Sequence, residues 1–226
     1  MEIRDHTTLV TPSLYNEELD RLIAPVSRSF VYPAKEIFQM PEDSIDGIYY
    51  IKRGRTRHYM DNNEGYCKIL YNLSPGWFFG ETMMFLQNKT SLYSQAEVET
   101  EVYLIPPDQV YMLMRESELF CTTLFRCFAH KMLILRYEVA NLAFNSCKNR
   151  LKRLLCSAAD VEHPVENSWY NLQIHYTHSE LGEIVGGARV TISRQLSELC
   201  NEGFIRMINR KIQLNIQQYN QYMSRS

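Results

Sequence analysis

The segment Arg189-Val190-Thr191-Ile192-Ser193-Arg194 holds the residues whose types and spacing could do chemistry. Read as a helix, it turns Ile192 inward with Leu196 and Leu199 and leaves Arg189, Val190, Ser193 and Arg194 facing out. Two guanidinium groups, a hydroxyl and an exposed pair of methyls make no catalytic set. They suit noncovalent reading of duplex DNA, the cations on phosphates and the others on base edges. Thr191 on the same helix, and Thr177 and Ser179 just before it, add further hydroxyls to the candidate DNA-binding set. An ordinary helical hairpin with solvated arginines is the alternative.

Two helices and a tight turn must position these groups. Thr177 is followed three residues later by Glu180, the capping-box spacing that satisfies two otherwise unpaired backbone donors at a helix start. Leu181, Ile184 and Val185 then form one apolar face, and Gly186-Gly187 allows a sharp turn into the second helix. That is a helix-turn-helix, whose second helix can enter the major groove. Asn201-Glu202-Gly203 supplies a stop, and FIRMINRKIQLNI alternates around Asn209-Arg210 as two strands and a turn. Such a hairpin is a wing, with Arg206, Arg210 and Lys211 where phosphates could be reached.

Composition agrees with a small regulator. The chain has 226 residues, enough for two domains, and a formal net charge of −2. From Ser146 onward there are 10 Lys and Arg against 7 Asp and Glu, and before it 14 against 19. A mildly basic reader behind an acidic sensor fits that division. No P-loop, nucleophile elbow or metal-ligand cluster occurs, so an enzyme is not expected, nor a cofactor or metal. No long apolar run or signal peptide is evident, so a cytoplasmic protein that does not engage membranes is expected. The six cysteines lack CxxC pairing and read as free thiols, several of them core filler.

The N-terminal half reads as strands. After a short helix around Glu17–Ile23, GIYYIKRGRTRHYM, YCKILYNL, SLYSQAEVE and TEVYLI carry the strand signal, punctuated at Asp61-Asn62-Asn63-Glu64-Gly65 and Ser74-Pro75-Gly76 and closed by Pro106-Pro107. A compact β-roll results, able to enclose one small ligand, though an apolar interior needs none. Phe125, Phe128, Met132, Leu135, Val139 and Leu142 are spaced as a heptad seam, with Cys121 continuing it backwards. A seam of that regularity pairs with an identical helix, so a homodimer is expected. The predicted organisation is α+β: a β-roll over 1–115, a dimerisation helix over 116–145 with a hinge near Asn141–Ser146, and a winged helix-turn-helix over 146–226.

In this order of modules, and in the segments AKEIFQ…IYYIKRG, SPGWFFGE, AEVETEVYLIP and SELGEIVGGARVTISRQLSEL, the chain resembles the catabolite-activator/FNR (Crp/Fnr) superfamily of bacterial transcription regulators. The resemblance runs from about residue 20 to the C-terminus. It implies a cyclic-nucleotide-binding-like roll, an effector-gated homodimer on an inverted repeat, and RNA polymerase as a further partner. In the family's R-E-x-x-x-R pattern the glutamate selects a G·C pair; here Val190 stands in its place and offers methyls that can pack on thymine. The half-site expected is closer to TTAA than to TTGA or TGTGA.

The effector is read from departures. Cyclic-nucleotide-binding members follow a Gly-Glu pair with a phosphate-clamping arginine. Here Gly80-Glu81 is present, but that position falls on Thr90 or Ser91, and no arginine occurs between Arg57 and Arg115. Lys89 is a poor substitute for a guanidinium fork, which argues against cyclic AMP. Iron–sulphur members carry N-terminal cysteines, whereas the first here is Cys67; His58 and His130 match no haem pattern. Aromatic residues dominate the remaining signal, and Lys131 on the long helix requires an anionic partner or a route to solvent. In Tyr71, Gly80, Phe128 and Lys131 the chain is similar to the halorespiration-regulator branch, with chlorinated hydroxyaromatic acids as effectors. It departs at Glu81, where a basic residue would suit an anion, and at Phe128, where a tyrosine hydroxyl is missing. The expected effector is a small aromatic or phenolic acid held by Tyr71, Gly80, Glu81, Lys89, Phe128 and Lys131. Gating by a cyclic nucleotide, a haem ligand or redox, or ligand binding without DNA regulation, are the alternatives.

Overall fold

The computed structural model describes residues 10–44, 46–62 and 66–224. The turn expected at Asn63-Glu64-Gly65 lies outside them. The described residues of Leu9–Asp61 and Ile69–Arg136 form one compact unit, and those of Asn62–Lys68 and Tyr137–Ser226 a second.

The first unit opens with helix α1 (Glu17–Ile23), where the Asn16 side chain accepts from the Leu19 amide at 3.1 Å and so caps the first turn. Its strands are β1 (Arg28–Tyr32), β2 (Ile37–Gln39), β3 (Ile48–Arg53), β4 (Thr56–Asp61), β5 (Cys67–Leu73), β6 (Phe78–Phe79), β7 (Tyr93–Ala96) and β8 (Thr100–Ile105). They form two four-stranded sheets, ordered β1-β8-β3-β6 and β2-β7-β4-β5. The antiparallel pair of β3 and β8 builds the apolar centre, with Ile48, Ile51, Val102 and Ile105 fully buried. Each such side chain contributes about 1.5–3 kcal/mol. Strand β4 alternates too, but its two inward side chains are Thr56 and His58, so a polar patch lies inside the roll.

Short helix α2 (Glu81–Leu86) starts from Gly80 at φ +87°, a left-handed turn that favours glycine. Helix α3 (Pro107–Glu116) follows β8. Pro106-Pro107 therefore begins a helix as well as closing the roll, because proline at the first helical position loses no hydrogen bond. Helix α4 (Glu118–Phe144) runs 27 residues, about 40 Å.

The second unit contains α5 (Cys147–Ser157), capped by the Ser146 hydroxyl, then hairpin β9 (Ala159–Val165) and β10 (Trp169–Leu172). Helices α6 (His178–Val185) and α7 (Arg189–Asn201) follow, then β11 (Ile205–Ile208), β12 (Lys211–Asn215) and α8 (Ile216–Met223). The wing is thus half of a four-stranded sheet, ordered β11-β12-β10-β9. Leu151, Leu155, Leu181, Ile192, Leu199 and Leu214 form its core, and all are fully buried. The six cysteines form no disulfide. No helix among the described residues is long and apolar enough to cross a membrane.

Candidate nucleic-acid interface and effector site

The reader is assembled as its local signals require. The Thr177 hydroxyl accepts from the Glu180 amide at 3.2 Å, and the Thr177 amide donates to the Glu180 carboxylate at 2.8 Å, so the capping box is complete. Gly186 ends α6 at φ +69°. Gly182 also matters to the turn: its amide-linked carbonyl accepts from Gly187, and a methyl at Gly182 would sit 2.5 Å from the Gly187 carbonyl oxygen. Only a glycine permits that approach.

On α7, Ile192, Leu196 and Leu199 point into the core, while Arg189, Val190 and Arg194 are exposed. Val190 is 81% exposed. Ser193 is half-buried, its hydroxyl 2.9 Å from His178 Nδ1, which ties the two helices together. Arg194 lies 4.0 Å from Glu198, a loose pair on a mostly solvated side chain. Thr177 is committed to its cap, and the Ser179 hydroxyl donates to Glu183 at 3.4 Å.

The wing corrects one expectation. Arg206 is not free for phosphates: its guanidinium donates to Glu166 at 2.8 Å and to Gln213 at 2.7 Å, and lies 4.5 Å from the centre of the Trp169 ring. A cation so engaged braces the hairpin. Arg210 and Lys211 are exposed and form no ion pair among the described residues.

The roll interior holds the second candidate site. Lys131, only 5% exposed, donates to the Phe78 carbonyl at 2.9 Å and forms an ion pair with the Glu81 carboxylate. The lysine does not snorkel: its acidic partner, Glu81, lies inside the roll. Glu81 is equally buried, and its Oε2 has no hydrogen-bond partner among the described residues. Around the pair stand His58, whose ring lies 5.3 Å from Tyr71 and 4.9 Å from Phe79. Both His58 nitrogens are engaged, Nε2 with Thr56 Oγ1 at 2.9 Å and Nδ1 with Ser94 Oγ at 3.1 Å, and Ser94 donates onward to Gln39 at 2.8 Å. An imidazole held at both nitrogens is no axial ligand for haem.

Electrostatics follow from this enclosure. Burial, and then the Lys131 ammonium, lower the His58 pKa from 6.5 to about 3, so the ring is neutral. Burial, and then the Glu81 carboxylate, raise the Tyr71 hydroxyl above its ordinary value. Burial pushes the Cys127 thiol up to about 11, which makes it inert filler.

Tyr71, Gly80, Glu81 and Lys131 are therefore brought together, with Gly80 as the cap of α2. Lys89 is instead exposed and lies 3.5 Å from Glu42, and Phe128 is on the exposed face of α4. Thr90, where a phosphate-clamping arginine was sought, is buried in structural work. Its carbonyl accepts from Glu42, its amide donates to Asp43, and its hydroxyl accepts from Leu92 at 3.1 Å. Arg57 is clasped by Glu97. Sequence reading missed the His58–Ser94–Gln39 chain, although Thr56 and His58 at alternate positions of one strand are a legible sign of a polar interior. On α4, five of the six heptad positions, Phe125, Phe128, Met132, Val139 and Leu142, are exposed, while Leu135 is half-buried.

Residues 30–117 match the family described as the cyclic nucleotide-binding domain, and residues 149–218 the Crp-like helix-turn-helix domain. The cAMP-activated global transcriptional regulator Vfr of Pseudomonas aeruginosa is 29% identical over 203 residues, covering 86% of this chain and 91% of its own. The c-di-GMP responsive global regulator CLP of Xanthomonas campestris shares the fold with a TM-score of 0.77 at 17% identity, over 88% of this chain and 99% of its own. OCPA-complexed CprK (C200S) does so at 0.70 and 20% identity, over 93% and 94%.

Proposed function

The chain belongs to the Crp/Fnr superfamily of transcription regulators, which are not enzymes, and on that premise we propose that it acts as a homodimer on an inverted repeat of TTAA-like half-sites. The observation that carries this reading is the exposed Val190 at the start of α7, between two arginines that face solvent. Its methyls face solvent and can pack on a thymine methyl, while Arg189, Arg194, Arg210 and Lys211 take bases or phosphates. Thr191 and Ser193 assist at the same face, and Thr177 and Ser179 at the start of α6 complete the set once their hydroxyls turn from Glu180 and Glu183 to the strand. The exposed apolar seam of α4 gives the dimer its interface, and two readers related by a two-fold axis suit a palindrome. RNA polymerase is the further partner that such a regulator engages.

The gating signal in this reading is a small phenolic or aromatic acid in the roll. What supports it is the pairing of Glu81 and Lys131 among His58, Tyr71 and Phe79, with Glu81 Oε2 buried and unsatisfied. An orphaned buried acceptor costs about 1–3 kcal/mol, and a phenolic O–H would satisfy it while the acid group shares the Lys131 ammonium with Glu81. Because Lys131 belongs to α4, rearranging that pair changes the helix that carries the dimer seam. The ligand shifts the population of reader orientations by its differential affinity for them.

The test is fluorescence anisotropy on a labelled inverted TTAA-type repeat, in buffer, with cyclic AMP, and with chlorinated and unchlorinated hydroxyphenylacetates. Tight binding only with an aromatic acid, lost in Lys131→Ala, is the expected result. Specific binding that ignores every ligand removes the effector assignment and keeps the DNA reader.

A further inference from the structure

The wing turn is built in an unrelaxed way. Strands β11 and β12 are joined by two residues, with Ile208 paired to Lys211. Both central residues are left-handed, Asn209 at φ +49° and Arg210 at φ +64°. Asparagine suits the first position of such a turn and glycine the second, yet the second is an arginine. The turn is held from outside as well: His175 Nε2 donates to the Arg210 carbonyl at 3.2 Å. A long cation is thus kept at a hairpin tip at a position that disfavours it.

Its neighbours point the same way. Met207 and Ile208, leading into the tip, are exposed at 42% and 45%. Arg206 is spent on Glu166, Gln213 and Trp169, which leaves Arg210 and Lys211 as the cations the wing can present. Beneath the tip lies a cleft of about 380 Å³ bordered by Gln173, His175, Arg210 and Lys211. The acidic member of its wall, Asp160, faces His163 at 3.0 Å. Phosphate contact needs cations alone. A tip that combines one guanidinium with two bare aliphatic side chains matches the minor groove, whose floor lacks a distinct donor code and whose A·T tracts are narrow and strongly negative.

We infer that the wing tip reads the minor groove of A·T-rich sequence flanking each half-site, with Arg210 inserted and Met207 and Ile208 against the sugar walls. The inference rests on the DNA-regulator reading and adds a second specificity element to it. Arg210 discriminates through shape and through the N2 amino group that G·C pairs place in the minor groove.

The experiment first selects duplexes from a random library with the full-length protein, then measures anisotropy on the selected core with flanks of A·T, G·C or I·C pairs. Inosine presents the major-groove face of G·C without the minor-groove amino group. The expected result is similar affinity for A·T and I·C flanks and about tenfold weaker binding to G·C. The informative variant is Arg210→Gly, because glycine relaxes the turn and preserves the hairpin. It should bind the core more weakly than the parent protein does, because a cation is lost, and with no preference among the three flanks. Equal penalties for I·C and G·C, or no flank effect in the parent protein while the core is still bound, would overturn the inference. Failure of the parent protein to select any duplex would instead overturn the DNA-regulator reading beneath it.

Discussion

Lys131 of α4 and Glu81 of α2 form an ion pair inside the β-roll, each nearly inaccessible to solvent, with the Phe78 carbonyl as a third partner. Removing one member strands the other charge in the buried interior, which costs about 3–5 kcal/mol. Lys131→Met and Glu81→Gln should each lower the urea midpoint strongly. The double variant should recover most of the loss, because neither charge remains. Equal additive losses in the double variant would show that the two groups do not interact.

His58 makes stability depend on pH in a defined window. Its ring is neutral in the fold, with a pKa lowered from 6.5 to about 3 by burial and then by Lys131. The unfolded chain takes up a proton near 6.5 while the folded one does not, so acid favours unfolding. The His58 contribution is complete above about pH 6.5 and is lost as pH falls toward 3, with a slope of up to about 1.4 kcal/mol per pH unit. Between pH 6.5 and 5, above most carboxylate titrations, His58→Asn should flatten the measured slope.

The α4 seam offers a test of assembly. Phe125, Met132 and Val139 are exposed on one chain at 60%, 55% and 67%. Replacing Phe125 and Val139 by glutamate should convert a dimer to a monomer in sedimentation velocity and abolish binding to an inverted repeat. Binding to single half-sites should weaken far less. A monomeric parent protein at micromolar concentration would remove the seam's assigned role.

Arg206 and Lys211 should separate bracing from phosphate binding. Lys211→Ala is expected to reduce the salt slope of DNA affinity by about one counterion. Arg206→Ala loses the Trp169, Glu166 and Gln213 contacts, so it should lower the melting temperature and leave that slope nearly unchanged.

The reader was legible because its signals are local. A cap at Thr177, a glycine turn and an apolar period of 3.6 residues all fall within 23 positions and agree with one another. The same holds for the wing strands. The β9–β10 hairpin was not legible: ADVEHPV carries charge and a proline, and its turn uses Glu166 and Asn167 at positive φ in place of glycine. Helix α8 is polar and takes its cap from Asn215, the last residue of a strand, so its start was hidden. In the roll, Lys131 could be marked as a residue in need of a partner, but that partner is 50 positions away. Periodicity carries no information about which acid a buried cation meets. Lys89 likewise pairs with a residue remote in sequence, Glu42 on the surface.

The central claim is that Val190 sets the half-site, and parallel selection of DNA targets by the parent protein and Val190→Glu tests it most directly. The parent protein should return inverted TTAA-like half-sites. The variant should move one position to G·C, with a change in preference of roughly 1–3 kcal/mol. Recovery of the same half-site by both proteins would contradict the account.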